Sequence, residues 1–204
     1  YRMKSIQPHE LNNLQLQTLL QTAIAPRPIA LASTIDAEGR INLSPFSFFN
    51  LFSSNPPVVI FSPARRVRDN TTKHTLENVL EIPEVVIGIV NYKIVQQISL
   101  ASTEYSKAEN EFIKSGLTMK DADLIQPKLI DECPVNLECK VLEVKPLGTE
   151  GGAGNLVICE IIKIHVQEEY LNEEGNLDQI KLDLVARLGG NWYSRNNAEN
   201  LFEV

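Results

Sequence analysis

Two long alternating runs in the second half of the chain constrain its fold more than any other feature. VNLECKVLEVKPLG (135–148) sets Val135, Leu137, Cys139 and Val141 on one face. NLVICEIIKIHVQEEY (155–170) is its natural antiparallel partner, because only GTEGGAG (148–154) separates the two. Period-two alternation on both sides of a glycine-rich link predicts a hairpin of two long strands with a flexible loop. The link lacks the Gly-Lys-Ser/Thr ending of a P-loop and lies between strands, so a phosphate role for it is not expected. Upstream, residues 29–35 read as a strand closed by a tight turn at Asp36-Ala37-Glu38-Gly39, with a second strand following. NPPVVIFSP (55–63) is a strand entered through Pro56 and Pro57, where the missing N–H falls at the edge of the ladder. EVVIGIVN (84–91) is another apolar strand. Helices interrupt this order. Residues 8–22 place Leu11, Leu14, Leu16, Leu19 and Leu20 near helical spacing, and a second helix spans roughly 73–82 before Pro83. Two more cover 93–103 and 108–116, the latter stopped by Gly116. Residues 117–134 have no clear period, and EEGN (173–176) is a turn. A strand-rich order without a βαβ rhythm predicts a mainly β protein with inserted helices, built as an antiparallel barrel rather than a doubly wound sheet.

A chain of 204 residues, 43% hydrophobic and 22% charged, suits one domain with one substantial core. Its net charge of -7 argues against a nucleic-acid partner. No apolar run reaches the length that spans a bilayer, and YRMKSIQPHEL has no apolar signal core, so a cytoplasmic protein is expected. Cys133, Cys139 and Cys159 cannot all pair within one chain, and their spacing fits no zinc or iron–sulfur pattern. Cys139 and Cys159 fall in strand-like runs and read as inert buried thiols. Electron chemistry in this chain would therefore need a bound organic cofactor, and no metal is expected.

Two segments carry candidate chemistry. In residues 44–50, Ser44, Ser47 and Asn50 alternate with Phe46, Phe48 and Phe49. A flat, mostly apolar ligand with a polar rim needs both kinds of side chain. Taken alone, the segment reads more readily as plain β-core with turn and cap residues. In the second segment, Arg65, Arg66 and Arg68 crowd into one loop of an acidic chain, with Lys73 and His74 close behind. The helix starting near Lys73 would add its N-terminal N–H groups, and phosphate or pyrophosphate is the natural guest. A solvated loop with surface salt bridges fits that position equally well. No side chain stands out as a catalytic acid or base. His9, His74 and His165 are scattered, and His165 lies inside a long strand as a packed residue.

In series, the motifs PRPIALAST, an Asp/Gly turn, NLSPFSFFN, NPPVVIFSPARR, Lys73-His74-Thr75 and Arg187-Leu-Gly-Gly-Asn-Trp-Tyr193 resemble the flavin reductase-like and flavoredoxin family. The resemblance runs from about residue 19 to 193. It implies a single domain over 1–204, with a short N-terminal helix and a C-terminal tail around a Greek-key split β-barrel. It also implies FMN as cofactor, with FAD as the alternative. Ser33 and Thr34 match positions on the flavin chain or phosphate. Ser47, Phe48, Phe49 and Asn50 match the segment along the isoalloxazine and ribityl. Ser62, Arg66, Lys73 and Thr75 match the phosphate side, with Arg65 and Arg68 left as alternatives to Arg66. Gly190 and Tyr193 match a motif near the exposed face of the ring, where Gly189 and Gly190 allow close backbone approach. Trp192 and Tyr193 read equally well as a C-terminal hydrophobic anchor. The chain departs from the family's Lys-Asp-Thr triplet at His74, which leaves the phosphate geometry and the FMN/FAD preference open. The implied activity is hydride transfer from NADH or NADPH to flavin N5, in a homodimer that builds each site from both subunits. A monooxygenase or redox protein would be the electron-receiving partner. The alternative is a flavoredoxin-type electron carrier without its own nicotinamide turnover. The basic loop and the Ser/Phe/Asn segment argue against a purely structural barrel.

Overall fold

A computed structural model describes residues 1–103 and 105–204. Its centre is one antiparallel sheet of seven strands: β1 (Ala30–Ile35), β2 (Ile41–Phe46), β3 (Phe49–Ser54), β4 (Pro57–Phe61), β5 (Glu84–Ile89), β8 (Val135–Pro146) and β9 (Asn155–Val166). Between β5 and β8 lie two short strands, β6 (Met119–Lys120) and β7 (Leu129–Ile130), which pair with each other. After β9 come β10 (Leu184–Arg187) and β11 (Tyr193–Asn196), a small separate hairpin. The large sheet runs in the order β2-β1-β5-β8-β9-β4-β3.

This order, combined with one short connection, forces the sheet to curl. β2 and β3 are opposite edges of the sheet, yet only Ser47 and Phe48 lie between them. Strands in a flat sheet stand about 4.8 Å apart, so its two edges would be roughly 29 Å from each other. The chain from Phe46 to Phe49 can span at most roughly 11 Å. The sheet therefore rolls until its edges approach, and the rings of Phe46 and Phe61 meet across the seam with centroids 5.3 Å apart. Among the described residues β2 and β3 share no ladder, so the roll stays open along this line. The expected second strand and 44–50 segment thus divide at Ser47 into two strands.

The concave face holds a core built from Ala30, Ala32, Phe61, Val85, Ile87 and Cys159 and their neighbours. α2 (His74–Glu81) closes it with Leu76 and Val79. The opposite face of β1 and β5 presents Leu31 and Val86 to a second core, supplied by α3 (Val95–Ala101), α4 (Glu111–Ser115) and β7 through Ile98, Phe112 and Ile130. Alternation along β1 and β5 thus feeds two cores, which is why both strands read as continuous apolar runs. Along β8 the expected face of Val135, Leu137 and Cys139 is buried, and Val141 packs against it. A register shift at Leu142 then restarts the alternation, so that Val144 also packs on the concave core. The remaining helix, α5 (Gln179–Leu182), precedes β10. Most strand and helix limits expected from the sequence hold within a few residues, but the helix expected over 8–22 divides into a 3-10 turn at Pro8–Glu10 and a helix that starts at Asn13, and residues 117–134, expected to be irregular, carry β6 and β7. Gly39 and Gly116 take the positive φ their turns require, 81° and 71°.

α1 (Asn13–Ala23) starts on a reciprocal capping box. The Asn12 side-chain Oδ1 accepts from the Gln15 N–H at 2.9 Å, and the Gln15 side chain accepts from the Asn12 N–H at 3.1 Å. None of its residues joins either core. Among the described residues no helix is long and apolar enough to cross a membrane. All three cysteines are buried and free. Burial pushes the Cys139 thiol up to about 12, and those of Cys133 and Cys159 well above the ordinary range, so none is a thiolate near neutrality.

Candidate functional site

The open seam leads into a cleft of about 900 Å³. One wall is the inner side of α1, through Leu16, Leu20 and Ile24. Phe48, Phe49, Phe52, Ile60 and Leu156 line it as well. Polar atoms converge on this apolar slot from Ser47, Asn50, Ser62 and Arg27. Leu16 and Leu20 of the N-terminal helix therefore serve the cleft instead of a core, while Leu14 and Leu19 face outwards.

At one end the cleft meets two loops. The glycine link between β8 and β9 lies against residues 62–67 and lines the cleft with Gly151 and Gly152. A Cβ on Gly151 would stand 3.0 Å from the Arg66 carbonyl oxygen and the Val67 Cα, and one on Gly154 would stand 2.6 Å from Ser62 Oγ. Close approach of backbone is thus what these glycines provide. The link is also fastened, since Arg65 N–H donates to the Ala153 carbonyl at 2.9 Å and Gly152 N–H to the Arg65 carbonyl at 3.0 Å. The arginines shape their own loop. Arg65 donates to the Asn70 side chain at 2.6 Å, Arg66 donates to Thr71 Oγ1 at 3.0 Å and to the Thr72 carbonyl, and Arg68 pairs with Asp69. The loop then enters α2 through Lys73, its N-cap, whose Nζ stands 5.2 Å from the centroid of the Phe46 ring.

The structure gathers some of the sequence-predicted residues and separates others. Ser47, Phe48, Phe49, Asn50 and Ser62 all line the cleft. Arg66 and Lys73 are not among the cleft's lining residues; they belong to the loop and helix start next to Ala64 and Val67, which do line it. Ser33, Thr34 and Thr75 are fully buried and are not among the cleft's lining residues. Thr34 Oγ1 accepts from Asn78 of α2 at 3.1 Å, and Thr75 pairs with Asn42 of β2. These two hydroxyls hold α2 on the sheet. Gly190 has a φ of 58° in the β10–β11 turn, with its carbonyl accepting from Arg187 at 2.8 Å. Tyr193 lies under the Arg187 guanidinium, 4.6 Å from it, and packs on the outer core. Trp192 is 75% exposed and anchors nothing.

Sequence reasoning missed Arg27. It lies between Pro26 and Pro28 and is 8% exposed. Its guanidinium donates to the Gln21 and Ile24 carbonyls at the end of α1 (2.5 and 2.7 Å) and to the Leu188 carbonyl (3.1 Å). It also reaches Ser47 Oγ at 3.4 Å and stands 5.9 Å from the Phe48 ring. One side chain thus ties α1, the C-terminal hairpin and the seam together. The only signal in the sequence is a lone arginine between prolines at the mouth of an apolar strand. Hydrogen bonds from a charged donor contribute about 1.5–3 kcal/mol, so Arg27→Ala is expected to lower the melting temperature by about 5–10 °C. Arg27→Lys should recover only part, because an ammonium cannot reproduce the fork. A thermal melt followed by circular dichroism tests this, and an unchanged midpoint would show that these bonds contribute nothing net.

An antiparallel sheet rolled around an apolar, polar-rimmed cleft defines a β protein built to hold a small organic molecule. Residues 22–181 match the family model of the flavin reductase like domain, and the chain belongs to that family. An uncharacterised protein of Aquifex aeolicus is 34% identical over 178 residues, covering 87% of this chain and 88% of its own. Nitrilotriacetate monooxygenase component B from Bacillus cereus superposes with a TM-score of 0.92 at 29% identity, over 100% of both chains. A candidate flavin reductase with a split barrel domain from Shewanella frigidimarina superposes with a TM-score of 0.81 at 25% identity, over 97% of this chain and 94% of its own. The architecture is thus shared with split-barrel flavin reductases, and a flavin-related redox function follows from the family.

Proposed function

We propose that this protein binds FMN in the cleft and acts as an NAD(P)H-dependent flavin reductase. The observation that carries this reading is the cleft itself. Its volume lies in the range of cofactor sites, and its lining is apolar with a few convergent polar groups. Ala64 and Val67 of the basic loop line one end of it, the loop leads on to the start of α2, and Gly151 and Gly154 let the glycine link pack tightly on residues 62–67 there. These residues fit a flat tricyclic ring with a phosphorylated tail. Phe48 and Phe49 would flank the ring, and Ser47 and Asn50 would meet its polar edge. Ser62, Arg66 and Lys73 would hold the phosphate, assisted by the first-turn N–H groups of α2. Thr34 and Thr75 would act from behind, by fixing α2. A bound flavin supplies the chemistry, accepting a hydride from a reduced nicotinamide and passing electrons on. The protein's part is to orient the ring, keep one face open and exclude water from the other. The turn carrying Gly190, with Tyr193 beside it, would border the nicotinamide, although neither residue lines the cleft of the single chain.

The same reading makes the protein a homodimer. Leu51, Phe52, Leu142, Ile162 and Ile164 are exposed on strands of the sheet, an apolar surface that a second copy would cover while completing the cleft. The electron acceptor would be free flavin, a monooxygenase or another redox protein.

One set of measurements on the purified chain tests the reading. Apoprotein titrated with FMN should bind at micromolar concentrations or below, and light scattering should give a dimer mass. Anaerobic NADH or NADPH should then bleach the flavin at about 1–10³ per second. Absence of binding removes the reading at its base. A monomer that holds FMN removes the shared site. Bleaching no faster than that of free FMN replaces the reductase with an electron carrier of the flavoredoxin type.

A further inference from the structure

The lining of the cleft includes a buried positive charge that, among the described residues, has no acidic partner. Arg27 lines the cleft together with Ser47 and Phe48 and is 8% exposed. Its acceptors are all neutral: the Gln21, Ile24 and Leu188 carbonyls and, at the longer distance of 3.4 Å, Ser47 Oγ. The charge that acts on it is that of Arg187, a second cation. The backbone sets the two side by side. Arg27 N–H donates to the Arg187 carbonyl at 3.0 Å, and Arg187 N–H donates to the Arg27 carbonyl at 2.9 Å. The Arg187 guanidinium meets neutral groups as well, the Gly190 carbonyl at 2.8 Å and the Tyr193 ring at 4.6 Å.

Buried charges are ordinarily paired, because their desolvation is otherwise uncompensated. The Gln21 and Ile24 carbonyls close α1, and the negative end of that helix offsets about half a unit charge. The remainder of the Arg27 charge acts on whatever occupies the cleft. Burial and the Arg187 charge pull the Arg27 guanidinium below its ordinary range. A guanidinium nonetheless stays protonated in a protein, so the charge is permanent and Arg27 neither gives nor takes a proton. Clasping α1 and the C-terminal hairpin requires donors to carbonyls, which a neutral amide also supplies. The charge is what a guanidinium adds.

We propose that Arg27 biases the cleft electrostatically towards a ring that has gained negative charge, so that the protein binds reduced FMN more tightly than oxidised FMN. This inference rests on the flavin reading. Hydride transfer moves one hydrogen with two electrons from the nicotinamide C4 to flavin N5. The C4–H bond breaks, an N5–H bond forms, and the nicotinamide leaves oxidised. The neutral ring gains one negative charge, and no further proton is needed. The phosphate carries the same charge before and after, so it drops out of the ratio of the two affinities. Arg27 acts through its field alone, which is one of the ways a protein tunes a bound flavin. Tighter binding of the reduced state favours reduction in the site and holds the reduced flavin there until an acceptor takes its electrons.

The test is the midpoint potential of FMN bound to the full chain, measured anaerobically against a reference dye at mildly alkaline pH, where the reduced ring carries its charge. The offset from free FMN gives the ratio of the affinities for reduced and oxidised FMN. In the wild type the bound potential should lie above that of free FMN, and a lower one overturns the proposal. Arg27→Gln, which keeps donors and removes the charge, should lower the ratio by roughly threefold or more, about 14 mV or more for a two-electron couple. A smaller change overturns the proposal. Arg27→Lys keeps the charge and should hold the ratio within roughly threefold of the wild type, although it recovers only part of the stability. A fall as large as that in Arg27→Gln would assign the effect to the shape of the fork and overturn the role of the charge. If Arg27→Gln fails to fold, the wild-type offset and Arg27→Lys decide the matter. A wild-type chain that binds no FMN overturns the flavin reading and this proposal with it, whereas FMN that binds with an unmoved ratio overturns this proposal alone.

Discussion

Lys73→Ala is expected to weaken FMN binding by about ten- to a hundredfold and leave riboflavin nearly unaffected. Lys73 caps α2 where the basic loop turns into the helix, and it is half-buried beside Phe46. In the proposed site its ammonium faces the phosphate, which FMN carries and riboflavin lacks. A charge-assisted contact of this kind contributes about 1.5–3 kcal/mol, which sets the size of the effect. Paired titrations of the two flavins measure it directly, and equal losses for both would place Lys73 away from the phosphate. Arg66→Ala is a less selective change. Its guanidinium holds Thr71 and Thr72, so the whole loop loses its shape.

The largest effect on stability is expected at Glu138. This carboxylate is fully buried on β8 and accepts from the Asp123 and Leu124 N–H groups at 2.9 and 2.8 Å, with His165 Nε2 at 2.6 Å. Glu138→Ala would strand two backbone donors and an imidazole, at a cost of about 3–5 kcal/mol, the range for breaking a buried charged pair. Burial alone would raise the Glu138 carboxyl, but the two N–H donors and His165 outweigh it and hold it below the ordinary glutamate range. Its stabilisation is therefore full above that ordinary range and is lost as the pH falls through the depressed value. Urea melts at neutral and acid pH should show this loss in the wild type, and Glu138→Gln should flatten it. A Glu138→Ala chain as stable as the wild type would show that the loop around Asp123 is held by other contacts. Asp123, Glu138 and His165 bring three metal-capable atoms within 4.8 Å of one another. Their bonds are already committed to the backbone, to each other and, for Asp123, to Lys163.

His165 illustrates the limit of reading along the chain. A histidine inside an alternating strand reads as a packed residue, and so it is, but its partner Glu138 lies 27 residues away and becomes adjacent only in the β8–β9 ladder. Arg27 is a stronger case, because one of its acceptors is 161 residues distant. Thr34 and Thr75 sit in motifs that match ligand contacts, yet their hydroxyls turn towards Asn78 and Asn42. Which way a side chain on α2 points depends on how the helix lies on the sheet, and no local pattern encodes that.

The sequence by itself determined the elements whose causes are local. Alternation and a glycine link produced the β8–β9 hairpin, Asp36 and Gly39 the β1–β2 turn, and Pro83 and Gly116 the ends of two helices. The aromatic and polar side chains of residues 44–50 suited a plain β-core as well as the rim of a cleft, and the structure decided for the cleft at Ser47, Phe48, Phe49 and Asn50. The tertiary structure alone decided that β2 and β3 are opposite edges joined by two residues, so that the sheet must roll and leave a seam. It alone brought α1 over that seam, the glycine link against the arginine loop, and Glu111 against Asn42. The physical reason is one of range. Turn, cap and period act over a few residues, whereas strand order, curl and buried hydrogen bonds are fixed by contacts between segments that the chain keeps far apart until it folds.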